Sequence, residues 1–306
     1  YLTCAENPSI ISLMNRITRR QRAILLIIIL FLAATYFLSG PNQNNIDFHW
    51  HHYYSPDNNN NATNSSATTH VARRILISQY TGLDPAYLEF ATISEKANRA
   101  YAKKWNHDYV RMNGVAFDPY RPGGATYNKI ALIEKAMSAR VYDALLILDA
   151  DAVIVDLDQD ALDLIPQDML LTAHRVHSDD DPHTWHVNIG VTLWNLRHEK
   201  IKQVHDYWYR RTRRRLMLRQ FPEDQSELHA ILRGYGDERK SMVNAVDNSL
   251  VKFVRHVMRG TFGGGKVATS WHPWQGDEDD MKHRKFLLEE AVHDVCSKWE
   301  GVCEED

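Results

Sequence analysis

The sequence predicts an α/β domain with a mostly parallel central sheet, preceded by an apolar helix and a polar connector. Three observations predict it. From Arg73 onward, short apolar runs alternate with stretches of helical periodicity, the pattern of repeated βαβ units. One of those runs, Leu145 to Leu148, is wholly apolar and passes straight into Asp149-Ala150-Asp151, as a buried strand does on emerging where α/β sheets bind ligands. A chain of 306 residues with 44% hydrophobic content can also bury one sizeable core with appendages. The net charge of −3 argues against nucleic acid as the main partner.

Residues 1–22 read as a cytoplasmic tail. Ala23 to Leu38 carries no charge, and its roughly 24 Å of helix is short but sufficient for a thin membrane. A transmembrane signal-anchor helix is therefore expected over 23–39. Arg16, Arg19, Arg20 and Arg22 precede it, and no Lys or Arg follows until Arg73. This asymmetry places the N-terminus in the cytoplasm and the rest in a lumen. A cleaved signal peptide is the alternative, opposed by the long leading segment and the lack of a clean cleavage site near Gly40. Residues 40–70 are dense in Asn, Ser, Thr and His and read as a disordered stem. Asn61-Ala62-Thr63 and Asn64-Ser65-Ser66 are glycosylation acceptors by pattern.

Residues 71–306 form the expected lumenal domain. Ile75-Leu76-Ile77 opens it as a strand. Asp84-Pro85 starts a helix running to about Lys104, with Pro where a first helical turn tolerates it. Tyr109-Val110 is a short strand. Ile130, Ile133, Ala136 and Met137 give Tyr127 to Ala139 a helical period. The Leu145 strand follows, then Ala152 to Val155, Met169 to Ala173 and Val187 to Trp194. A helix from about Arg197 to Arg219 carries Arg210, Arg211, Arg213, Arg214, Arg215 and Arg219, either a solvated face or a surface for a membrane or acidic acceptor. Cys296 and Cys303 lie on the oxidising side, where a small disulfide loop and two free thiols are both open; Cys4 lies on the reducing side.

Asp149 and Asp151 carry the chemistry. Side chains two apart on an extended segment point the same way, so one cation can take both and hold a diphosphate. A solvated turn is the plainer reading, yet such turns do not usually separate two core strands.

Tyr127-Asn128-Lys129-Ile130, the LLILDADAVIVD run, Asn188-Ile189-Gly190-Val191, Asn195 and Asp224-Gln225 follow one another in this order. They resemble the galactosyl- and mannosyltransferase family 34, close in plan to glycosyltransferase family 8. The resemblance covers roughly Arg73 to Lys266 and implies a GT-A fold using Mn²⁺ with retention of anomeric configuration. It implies that Asp149 and Asp151 bind the metal and the sugar nucleotide, the first also reaching the ribose. It further implies a His as third ligand. His256 in FVRHV fits, and His272 in Trp271-His272-Pro273-Trp274 is the rival. Lys129 would lie near the nucleotide, Asn188 and Gly190 beside the donor sugar, and Asp224 and Gln225 against the transferred sugar. Gly260, Gly263, Gly264, Gly265 and Lys266 depart from the family's spacing, though Lys266 on such a loop can still neutralise a departing diphosphate.

The expected protein is thus a Golgi type II glycosyltransferase taking a nucleotide-diphosphate sugar and a glycan acceptor, with a homo- or hetero-oligomer left open. Two readings from other classes stand beside it. A haloacid-dehalogenase-like phosphatase would use Asp149 as nucleophile and need a later acidic motif, for which Gly236-Asp237 is a poor match. A non-catalytic lumenal domain would keep the fold and bind a glycan or partner.

Overall fold

The computed structural model describes residues 50–53, 74–116, 124–175, 186–218, 220, 223–246, 252–257, 278–299 and 303. The expected tail and anchor, both glycosylation acceptors, Arg219, His272 and Lys266 lie outside these residues. Among the described residues, no helix is long and apolar enough to cross a membrane.

The apolar run before the carboxylates becomes the central strand β4, Ala144–Leu148, every residue of which is buried. Around it lie β1 (Trp50–Tyr53), β2 (Ile75–Thr81), β3 (Asp108–Asn113), β6 (Leu171–Arg175), β7 (Val187–Asn195) and β8 (Val243–Val246), in the order β1-β3-β2-β4-β7-β6-β8. β2 pairs in parallel with both β3 and β4, β7 lies antiparallel between β4 and β6, and β6 pairs in parallel with β8. Five of the seven strands therefore share one direction, and β1 and β7 oppose it. The mostly parallel sheet expected from the sequence is present.

Among the described residues the helices beside it are α1 (Pro85–Trp105), α2 (Asn128–Ala139), α3 (Ile201–Met217), α4 (Asp224–Gly234) and α5 (Glu278–Lys298). α1 starts as its sequence implies, with Asp84 as N-cap accepting the Ala86 amide at 2.9 Å and proline in the first turn. It ends on Asn106, whose left-handed φ of 53° turns the chain.

Alternation along β4 sends its side chains to two cores. Ala144, Leu146 and Leu148 meet Phe90 and Tyr101 of α1 and Leu288 and Val292 of α5. Leu145 and Ile147 meet Ile130 and Ile133 of α2, Trp208 of α3 and Leu228 of α4. Both faces are covered, which is why the strand reads as unbroken apolar sequence.

Two expectations need correction. Trp50–Tyr53 lies within the segment read as a disordered stem, yet its backbone pairs antiparallel with β3. Its aromatic residues favour extended structure, and β3 would otherwise be a bare sheet edge. The arginine helix begins at Ile201 rather than Arg197, because Asn195 accepts the Arg197 amide at 3.0 Å and holds the chain in a turn. Of the two states left open for Cys296 and Cys303 the disulfide is present, and it follows α5, which the sequence reading did not assign.

Candidate metal and diphosphate site

β4 ends at Leu148, and Asp149-Ala150-Asp151 then turns into β5, Ala152–Ile154. The Ala152 amide donates to the Asp149 carbonyl at 3.1 Å, closing a β-turn. The convergence of the two carboxylates thus comes from a turn, not from alternation along an extended segment. β5 pairs antiparallel with β9 (Val254–His256), placing His256 opposite Ala152. One ligand atom from each of Asp149, Asp151 and His256 lies within 4.8 Å of the others.

Each carboxylate is held by one oxygen and offers the other. Asp149 Oδ1 accepts from the Tyr80 hydroxyl and lies 3.4 Å from Lys129 Nζ, while its Oδ2 is 3.7 Å from His256 Nε2. Asp151 Oδ2 accepts from Arg284 on α5, while its Oδ1 is 3.3 Å from His256 Nε2. Two carboxylate oxygens and one imidazole nitrogen therefore converge with their outer partners already in place, the arrangement that orients metal ligands. Oxygen ligands with one imidazole suit Mn²⁺ and related divalent ions.

A glycine keeps the centre open. A Cβ on Gly190 would lie 2.1 Å from His256 Cε1 and 2.7 Å from Asp149 Oδ2. Its backbone is fixed, since the Gly190 carbonyl accepts the Asp149 amide at 2.8 Å and its own amide donates to Asn188 Oδ1 at 2.9 Å. On the β6 side Ile189, Gly190 and Val191 are skipped, since β6 pairs Ala173 with Thr192 and then His174 with Asn188, while Val191 stays paired with Leu148 of β4.

The electrostatics follow from burial and pairing. Burial works against the charge on His256, but Asp151 and Asp149 overcome it and raise its pKa. Burial likewise opposes ionisation of Asp151, and His256 with Arg284 more than offsets it, holding that carboxyl below its ordinary range. Tyr80 is raised well above a normal phenol by burial and by Asp149, so it donates to that carboxylate as a neutral hydroxyl.

Lys129 is buried between two carboxylates, 2.8 Å from Asp224 Oδ2 and 3.4 Å from Asp149 Oδ1. Burial disfavours its charge, yet the two carboxylates raise its pKa. Asp224 itself is raised because its burial outweighs the single lysine. Glu223, not Asp224, is the N-cap of α4. Gln225 Oε1 accepts the Ile189 amide at 3.2 Å, one residue from Gly190. Replacing Lys129 by Met strands the buried Asp224 and leaves the half-buried Asp149 with Tyr80, and an unfolding free energy lower by about 3–5 kcal/mol is expected in urea titration. An unchanged midpoint would show the pair to be dispensable.

The structure therefore gathers Asp149, Asp151 and His256 at one point, with Lys129 and Gly190 against Asp149, Asp224 on Lys129, Asn188 on the Gly190 amide and Gln225 on the Ile189 amide. Sequence reasoning missed Tyr80 and Arg284. It also missed the brace beneath the turn, where Gln79 and Ser94 donate to the Ala150 carbonyl at 3.1 Å and 2.9 Å. Arg284 had a signal: it sits at helical spacing with Met281, Leu288, Ala291 and Val295, and a charge in an apolar stripe implies a buried partner. Its guanidinium also donates to the Val257 carbonyl at 3.1 Å and lies 5.2 Å from the Phe90 ring centre. Arg284→Lys keeps the charge but loses the planar fork. A fall of about 10–100-fold in Mn²⁺ affinity is expected by calorimetry, and wild-type affinity would refute the clamp.

No protein-family model and no curated protein matches the chain. Solved structures similar to it include a glycosyltransferase involved in glycosylation of the major capsid of PBCV-1, at 13% identity over 71% of this chain and 98% of that one, TM-score 0.48. Another is the glycosyltransferase GlyE of Streptococcus pneumoniae TIGR4, at 12% identity over 74% and 63%, TM-score 0.41. A third is a variant of Drosophila β-1,4-galactosyltransferase 7 in complex with manganese, UDP-Gal and xylobiose, at 13% identity over 61% and 71%, TM-score 0.38. Each of these scores lies below 0.5.

Proposed function

We propose that this chain is a divalent-metal-dependent glycosyltransferase of the GT-A type. It would move a hexose or pentose from a nucleoside-diphosphate sugar to a glycan hydroxyl with retention of configuration. The convergence of Asp149 Oδ2, Asp151 Oδ1 and His256 Nε2 within 4.8 Å at the end of the central strand carries this reading. When bound there, a divalent ion such as Mn²⁺ supplies positive charge for the diphosphate that leaves the sugar.

The chain's own residues do the rest. Tyr80 and Lys129 fix Asp149, and Arg284 fixes Asp151. Gly190 leaves the volume a donor needs beside these ligands, and Asn188 and Gln225 flank it with groups that hydrogen-bond sugar hydroxyls. Asp224 is engaged with Lys129 at 2.8 Å, so its role is to position that lysine rather than to take a proton. The bond from the anomeric carbon to the phosphate oxygen breaks and one to the acceptor oxygen forms on the same face. The acceptor's proton passes to the departing phosphate. Lys266 is proposed to approach that phosphate on the strength of the family resemblance.

The order of the short motifs supports membership of family 34 or its near relatives. The arginines before the apolar run support a single-pass type II anchor in the Golgi membrane. A dehalogenase-like phosphatase is disfavoured by a histidine in the cluster and by Asp237, which is exposed and pairs with Lys240 at 3.3 Å.

The test is a donor screen of the purified chain with Mn²⁺ and UDP-galactose, UDP-xylose, UDP-glucose or GDP-mannose, reading nucleoside-diphosphate release. One donor should be turned over only with metal. Neither turnover nor metal-dependent UDP or GDP binding would favour a non-catalytic glycan- or partner-binding domain.

A further inference from the structure

A second polar site lies between α3 and α4. An open cavity of about 780 Å³ there is lined by Tyr207, Arg210, Arg211, Arg214, Arg215 and Tyr235, among others. Residues three and four apart share a helix face, and like charges at that spacing repel. Clustering four guanidiniums therefore has a cost. The helix dipole accounts for Arg214 and Arg215 in the last turn, but not for Arg210 and Arg211 a turn earlier.

Glu227, buried on α4, offsets part of that cost. It accepts from Nε of Arg211, and from Nε of Arg215 at 3.0 Å. Using Nε leaves the terminal nitrogens of both guanidiniums for another acceptor. Among the described residues, Arg210 and Arg214 have no carboxylate partner; Arg210 lies 5.1 Å from the Tyr207 ring centre. Two held and two unneutralised guanidiniums, with an aromatic wall, suit a ligand carrying several tetrahedral oxyanions.

We propose that this cavity binds a phosphate-ester ligand, free in solution or displayed on a lipid headgroup. Arg210 and Arg214 make the charge contacts, and Glu227 fixes Arg211 and Arg215 as the floor. Gln225, in the first turn of α4, accepts the Ile189 amide beside Gly190, whereas the cavity is lined by Ala230, Ile231 and Gly234 further along that helix. The two sites are distinct.

The test is calorimetric titration of the full chain in EDTA with inositol hexakisphosphate, at about 50 mM and about 300 mM NaCl. Binding should appear at low salt and weaken at high salt. Arg210→Glu and Arg214→Glu, both exposed and not expected to disturb folding, should each weaken it at least about tenfold. Arg213→Glu changes the same charge outside the cavity and should shift it less than about twofold. Co-sedimentation with phosphatidylcholine vesicles containing phosphatidylinositol phosphate then separates the sources: sedimentation indicates a headgroup, its absence a soluble ester. No binding at low salt, or equal losses in the Arg213 and Arg214 variants, would each overturn the proposal.

Discussion

Asp151→Asn is expected to lower turnover by about a thousandfold, because a bound cation contributes several kcal/mol to such a reaction and each 1.4 kcal/mol is about a factor of ten. Asparagine matches aspartate in shape, so the loss isolates charge. The variant also leaves the Arg284 guanidinium buried without its counter-ion, which adds a stability cost of about 3–5 kcal/mol. The two effects separate in a double substitution. Asp151→Asn with Arg284→Met should recover much of the lost melting temperature and none of the activity, because an apolar side chain removes the stranded charge without restoring a ligand. Circular dichroism melts and Mn²⁺ titrations of all three variants read both quantities. Full turnover in the single variant would end the metal assignment.

Gly190→Ala is the second large effect, and it works by volume alone. One methyl group placed 2.1 Å from His256 Cε1 and 2.8 Å from its Nε2 cannot coexist with the imidazole where it stands. The strand cannot give way, since the Gly190 carbonyl and amide are both engaged. The histidine must therefore leave. Overpacking of this kind costs about 1–3 kcal/mol, so the protein should fold with a modestly lower melting temperature. Its Mn²⁺ affinity should fall at least about a hundredfold, beyond the effect of losing an outer partner. Adding His256→Gly removes the more severe clash, leaving the 2.7 Å approach to Asp149 Oδ2, and should recover much of the melting temperature while affinity stays lost. Thermal melts follow the first quantity and electron paramagnetic resonance of free Mn²⁺ the second. A Gly190→Ala variant that binds Mn²⁺ like the parent would mean the cluster is not the cation site.

What the sequence makes legible is local. Four apolar residues followed by Asp149 and Asp151 announce a covered strand ending in charge, because period and length are properties of a few consecutive residues. The N-cap Asp84 and the helix it starts are legible for the same reason. The short apolar run around His256 favours it over His272, and β9 places it opposite Ala152. Long-range pairings are different. Tyr80 looks like any alternating residue of β2, and only the neighbouring strand reveals that its hydroxyl reaches Asp149. Lys129 reads as a helix surface lysine and is instead buried between two acids. β1 is hidden because a polar, asparagine-rich setting masks four residues whose partner strand lies more than fifty positions later.

The contact between Arg284 and Asp151 spans 133 positions of chain. During synthesis the central strand, the turn and His256 all emerge before the helix at 278–298 exists. Until that helix docks, the second aspartate has no guanidinium to fix its free oxygen toward the cation. The metal ligands thus depend on a segment made more than a hundred residues after the first of them, and Asp151 is held in place only once the helix at 278–298 has packed against the sheet.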